Sequence, residues 1–258
     1  MIRSRLTCSL LCGVAVATTF VRAGEPKTAD EVIAKYVEAI GGRAKLDAIK
    51  TLRATGKMIL GGGMMEAAFS REHKRPNRFR MDFTFQGMTG TRAFDGTQGW
   101  SVAPFAGKTE PEKMSADDVK EMEDQIDFEG PLVDYKKKGH QVELVGQEEI
   151  AGTQTYKLKV TKKNGNVEYH FLDAEHFIPI KVKGKHQIQG TEIDSETTLS
   201  DYKEVGGILM PHSLEQAMGD MGGASMVFDK IEANVDLPDS RFAMPAVNKD
   251  EPKDAKPD

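Results

Sequence analysis

The chain has 258 residues, 35 Lys and Arg against 40 Asp and Glu, a net charge of −5 and two cysteines. That acidic surplus leaves no basic footprint for nucleic acid. The length suits one all-β domain or two small ones, and no Pro- or Gly-rich linker divides the chain, so a single domain is expected.

The first element is a leader. Arg3 and Arg5 precede an apolar run over 6–21, and Val21-Arg22-Ala23 offers small side chains at the cleavage positions, so 1–23 reads as a signal peptide and the mature chain starts near Gly24. The run is too short and too poor in large residues for a spanning helix. Cys8 and Cys12 lie within it, and Leu11 is too large for the residue before a lipidated cysteine. Without the leader there is no cysteine and hence no disulfide. Losing Arg3, Arg5 and Arg22 leaves 32 basic against 40 acidic residues, a charge of −8. A soluble, monomeric periplasmic protein with no membrane anchor is expected.

Thr28-Ala29-Asp30-Glu31 has the form of a capping box, and Val32, Ile33, Tyr36, Val37 and Ile40 then recur at helical spacing. A short second helix is expected over 43–50, with Leu46 and Ile49 inward. Helices this short need a sheet to pack on. That sheet opens with Leu52, Ala54, Gly56, Met58 and Leu60 in alternation, turns at Gly61-Gly62-Gly63 and returns over 64–72. The next strand is sharply two-faced, with Phe79, Met81, Phe83 and Phe85 on one side and Arg78, Arg80, Asp82 and Thr84 on the other. Strands over 89–94 and 99–105 close a first group.

Between 108 and 139 the β pattern stops. Ser115-Ala116-Asp117-Asp118 opens a helix carrying Val119, Met122 and Ile126, and a second helical piece is expected at Leu132, Val133 and Tyr135. Strands resume over 141–149. In the following hairpin Tyr156, Leu158 and Val160 alternate with lysines, and Asn164-Gly165 suits a two-residue type I′ turn. That turn sets Val160 opposite Tyr169, Leu158 opposite Phe171 and Lys159 opposite His170. Ile178, Ile180 and Val182 form a third strand, and further strands follow over 191–202, 208–218 and 224–233, for about eleven or twelve in all. From Asn248 the chain is charged, with Ala255 its one apolar residue, which reads as a disordered tail over 248–258 beyond a domain spanning 24–247.

The hairpin and its neighbours resemble the later strands of the lipoprotein-sorting, LolA/LolB-like family of bacterial envelope proteins, in the branch of outer-membrane lipoprotein-sorting protein homologues. The matching pieces are the 156–182 meander, Leu199-Ser200-Asp201-Tyr202-Lys203-Glu204-Val205-Gly206-Gly207-Ile208-Leu209-Met210-Pro211-His212, Asp95-Gly96-Thr97-Gln98-Gly99-Trp100, Phe128-Glu129-Gly130-Pro131-Leu132 and Asp239-Ser240-Arg241-Phe242. The resemblance implies a mainly β, α+β fold: a curved antiparallel sheet forming an unclosed half-barrel around short helices on its concave side, with an apolar cavity between them.

Chemical motifs are sparse. His73, His140, His170, His176, His186 and His212 are scattered, and only His170 and His176, with Asp173 or Glu175, come near a metal set; two surface histidines beside a turn are the plainer account. There is no Gly-x-Ser-x-Gly elbow, Walker loop or dinucleotide fingerprint, and Gly61-Gly62-Gly63 lacks the Lys-Ser/Thr of a phosphate cradle. Glu192, Asp194 and Glu196 share a face with Ser200 and Tyr202, as on a solvated strand. No catalytic residue, metal or cofactor is expected. His212 alternates with Ile208, Met210 and Leu214, and a hydrogen-bonded core histidine is the plainer account of it, with a ligand contact as the alternative.

Methionine and phenylalanine are the distinctive residues. Methionine is flexible and polarisable and adapts to ligands of no fixed shape. Phe79, Met81, Phe83, Phe85, Met210, His212, Met226 and Phe228 are the expected ligand-facing set. Composition alone favours a filled core, and the family resemblance shifts the balance to a cavity. The leading expectation is a periplasmic, non-enzymatic carrier holding lipid or lipoprotein acyl chains; the alternative is an envelope sensor or scaffold that binds a protein segment over a filled core.

Overall fold

The computed structural model describes residues 25–188, 191–219 and 222–246. The expected leader over 1–23 and tail over 248–258 lie outside the described residues. Helix α1 (Ala29–Ala39) starts at a capping box in which Thr28 Oγ1 accepts from the Glu31 N–H and the Glu31 carboxylate accepts from the Thr28 N–H. Its Val32 and Ile33 are buried. Helix α2 (Arg43–Ala48) buries Leu46. Helix α3 (Ala116–Ile126) repeats the device, with Ser115 and Asp118 capping each other.

The strands are β1 (Thr51–Leu60), β2 (Met65–Lys74), β3 (Arg78–Phe85), β4 (Met88–Phe94), β5 (Gly99–Ala103), β6 (Lys108–Lys113), β7 (Gln141–Ile150), β8 (Thr153–Thr161), β9 (Val167–Asp173), β10 (Pro179–Ile188), β11 (Thr191–Val205), β12 (Ile208–Met218) and β13 (Gly223–Ala233). They form one antiparallel sheet in the order β6-β5-β4-β3-β2-β1-β13-β12-β11-β10-β9-β8-β7. Two meanders meet where β1 pairs β13. The edge strands β6 and β7 do not pair, so the curved sheet stays unclosed.

Three local expectations are corrected. The sheet has 13 strands because 108–113 is a strand; Lys108-Thr109-Glu110-Pro111-Glu112-Lys113 carries no apolar alternation because it is an exposed edge, where Pro and charge are tolerated. Leu132, Val133 and Tyr135 lie in successive turns instead of a helix, since Pro131 lacks an N–H and Gly130, Asp134 and Gly139 take positive φ. Leu132 and Val133 are buried all the same.

The third concerns the hairpin. Gly165 sits at φ +89° while Asn164 stays out of the left-handed region, so the type I′ pair is not formed. Gly165 N–H donates to Lys162 O, Lys162 N–H to Asn166 O, and the Asn166 N–H to Asn164 Oδ1, which makes a three-residue loop. The partner strand slips by one residue: Leu158 faces His170, Val160 faces Glu168 and Lys159 faces Tyr169. A one-residue slip exchanges the faces. Glu168 and His170 therefore point inward beside Leu158 and Val160, while Tyr169 and Phe171 turn outward beneath the Lys157 ammonium, 5.0 and 5.4 Å from their ring centres.

The core is filled at one end. α1 packs with Leu132 on Tyr156, Leu158, Val160 and Leu172, and α2 with Val133 on Leu52, Val205 and Ile208. On the outer face, residues 234–246 run over β1 to β5. Lys74 Nζ donates to Leu237 O, Arg80 Nη1 to Arg241 O and Trp100 Nε1 to Phe242 O at 2.7 Å. Beneath this strap Glu72, 1% exposed, accepts from Arg53 and Arg241. Phe242 is wholly buried. Phe242→Ala should accordingly cost about 3–5 kcal/mol in urea unfolding, and a loss under about 1 kcal/mol would mean that the strap is not part of the cooperative fold.

Candidate functional site

The first meander ends at one edge of the sheet and the second begins at the other, so the chain between β6 and β7 must cross the sheet. It crosses over the inner face. α3 and the turns after it are tied to β2 by Arg71 Nη2, which donates to Gln125 O at 3.0 Å, and by His73 Nδ1, 3.2 Å from Ile126 O. Further along, Arg75 donates to Glu129 at 2.7 Å, and Lys162 Nζ donates to Asp124 at 2.7 Å.

Under this bridge the inner face is left partly unfilled. A cavity of about 700 Å³ is lined by Met58, Met65, Met81, Phe83, Phe85 and Met226 among other residues, with Arg71, Arg92, Gln125 and Gln216 as its polar members. A second space of about 440 Å³ adjoins it through Arg71 and Gln216 and includes Met210, Leu214, Phe228 and Ile231. Gly90 lies opposite Phe83, and a Cβ there would sit 2.3 Å from the Phe83 ring, so the glycine makes room for that ring. Phe83 stacks on Phe105 at 5.5 Å.

The expected site residues divide accordingly. Met81, Phe83, Phe85 and Met226 line the larger cavity, and Met210 and Phe228 the smaller. Phe79 is wholly buried, edge-on to His73 at 5.1 Å and with the Arg71 guanidinium over its ring. His212 is buried, with Nδ1 3.1 Å from Met210 O, and belongs to neither wall. His170 and His176 are apart in role: the first bonds Glu168 inside, the second sits exposed with Nδ1 3.2 Å from Asp173. Among the described residues no group of three or more His, Cys, Asp or Glu is placed to hold a metal ion, and no helix is long and apolar enough to cross a membrane.

The polar residues of the cavity are those that the sequence reading passed over. Arg71 Nε donates to His73 Nε2 at 2.9 Å, which leaves the proton of a neutral His73 on Nδ1, facing Ile126 O. Burial, and then the Arg71 charge, push the His73 imidazole well below its ordinary range. Burial lowers Arg71 to about 10, a desolvation cost on the order of 3 kcal/mol. Burial alone would raise Glu168, but the His170 hydrogen bond and the Lys162 charge prevail and hold it at about 2. A signal existed for Arg71 and His73: both alternate with Ala67 and Phe69 on β2 and so share their face.

No family model and no curated protein matches the chain. Solved structures do. A DUF1329 family protein from Desulfovibrio piger aligns with a TM-score of 0.57 at 12% identity, over 83% of this chain and 97% of that one. A LolA superfamily protein from Nitrosomonas europaea aligns at 0.57 and 13%, over 84% and 98%. A putative outer membrane lipoprotein-sorting protein domain from Vibrio parahaemolyticus aligns at 0.55 and 15%, over 83% and 97%. The class is thus an unclosed antiparallel half-barrel with short helices on its inner face and an apolar cavity beneath them. Its fold is LolA-like.

The His73 linkage has a definite sign. Its folded value lies below the ordinary 6.5, so its contribution is complete above pH 6.5 and is lost as the pH falls below it. Glu168, held near 2, loses its contribution only below its ordinary 4.5. Acidification from pH 7.5 to 5.5 should therefore lower Tm and lower the amide protection factors over 116–126, taken relative to the intrinsic exchange rate at each pH, and His73→Gln should remove most of that slope. A flat profile in the wild type would contradict the tie between β2 and α3.

Proposed function

We propose that the protein is a non-enzymatic carrier, exported to the periplasm of the bacterial envelope, that holds acyl chains of a lipid or lipoprotein between sheet and α3. The observation that carries this reading is the larger cavity. Its wall is mostly methionine and phenylalanine, its volume falls within the ~300–1,000 Å³ typical of small-ligand sites, and Arg71 and Lys162 tie the bridge to the sheet by polar bonds beside it. The fold shared with a lipoprotein-sorting domain supports the same direction. Phe105 and Met65, both exposed, stand at the cavity's rim, and Met64, 85% exposed, follows the neighbouring turn. A chain entering there meets an apolar surface at once.

Phe79 and Phe83 provide the comparison that tests it. Phe79 is enclosed on all sides, so Phe79→Ala should cost the full core penalty of about 3–5 kcal/mol. Phe83 faces the cavity, so Phe83→Ala should cost clearly less while weakening a fluorescent fatty-acid probe that binds the wild type at micromolar concentration. No probe binding, together with a full penalty at Phe83, would leave the filled-core scaffold that binds a protein segment.

A further inference from the structure

The cavity holds two guanidinium groups that the sheet does not neutralise. Eight arginines fall among the described residues, and Arg43, Arg53, Arg75, Arg78, Arg80 and Arg241 each pair with a carboxylate within 4.0 Å. The two that make no ion pair, Arg71 and Arg92, are the two that line the cavity. Arg71 spends its bonds on neutral acceptors, His73 Nε2 and Gln125 O. Arg92 feels Asp118 only through space.

Register brings the pair together. Arg71 faces Met81 across β2 and β3, and Met81 faces Arg92 across β3 and β4, so the three side chains share one inner row. The arginine Cα atoms are two strands apart, about 10 Å, a span that two extended guanidiniums close from both sides around one small oxyanion. Gln125 and Gln216 add amides to the same wall. An uncompensated charge in an apolar cavity is costly unless a partner is to arrive, and a carboxylate or phosphate is the group that guanidinium donors fit.

We infer that the cavity selects amphiphiles with an anionic head, carboxylate or phosphate, held inside by Arg71 and Arg92 with the acyl chain running along Met81, Phe83 and Phe85 toward the rim. This rests on the carrier reading and narrows it: neutral acyl esters would fill the apolar wall but leave both cations without a counter-charge.

The test uses the full exported chain, freed of lipid, and displacement of a neutral fluorescent acyl probe by oleate, lyso-phosphatidylglycerol, methyl oleate and monoolein. The two anionic amphiphiles should bind at least about tenfold more tightly than the neutral ones of equal chain length. Inorganic phosphate or acetate alone should not displace the probe. Arg92→Met, at a residue with no hydrogen bond to α3, should shrink the ratio of anionic to neutral affinities, both measured on the same variant, to about twofold or less; Arg71→Met should do the same where it folds. Neutral and anionic ligands binding alike, or an unchanged preference in Arg92→Met, would overturn the inference and leave the carrier reading intact. Displacement by phosphate alone would also overturn it, by assigning the pair to a small free anion. A protein that binds no acyl probe would overturn both.

Discussion

The structure depends on one topological constraint: a single antiparallel sheet whose edge strands, β6 and β7, never meet. The first meander ends at one edge and the second begins at the other, so the intervening chain has to travel the full width of the sheet. It takes the inner route. α1 and α2 already fill the end near β8, β9 and β12, and what remains for the crossing chain is the stretch over β2 and β3. The cavity is the space left between a bridge fixed at both ends and a sheet too wide for it to cover.

How that bridge is held separates the two ends. Beyond α3, Leu132 and Val133 are buried in the same clusters as α1 and α2, an apolar and permanent attachment. At α3 the attachment is mixed: Met122 is wholly buried, Arg71 and His73 reach backbone carbonyls of Gln125 and Ile126, and Lys162 reaches Asp124. The His73 bond contributes about 1 kcal/mol and those of the charged Arg71 and Lys162 about 1.5–3 each once the competition of water is counted, and α3, which enters neither apolar cluster, is the more lightly held part of the cover. The outer strap does the reverse. Trp100, Phe242 and the enclosed Glu72 brace the strands behind the cavity, so that opening on the inner face does not loosen the sheet.

Much of this was legible. Period-two alternation placed Phe79, Met81, Phe83 and Phe85 on one face because a half-buried strand permits little else, and the caps at Thr28 and Ser115 placed two helices. The losses have local causes. Asn164-Gly165 is compatible with two loops, and the side-chain bond from Asn164 to the Asn166 N–H goes with the longer one, which moved His170 and Glu168 indoors. β6 is an edge strand without an apolar residue and so carries no periodic signal. Arg71 and Arg92 were passed over because a charged residue on an apolar face looks like an interruption of the pattern, whereas at this cavity it is the feature that distinguishes the wall from ordinary core.

A crystal structure of the protein with a fatty acid brominated at mid-chain tests the central claim directly, because anomalous scattering places the bromine without reference to the protein density. The account predicts bromine inside, against Met81, Phe83 and Met226. Bromine found only on the exterior, or a crystal in which those side chains close upon each other and leave no space, would contradict it.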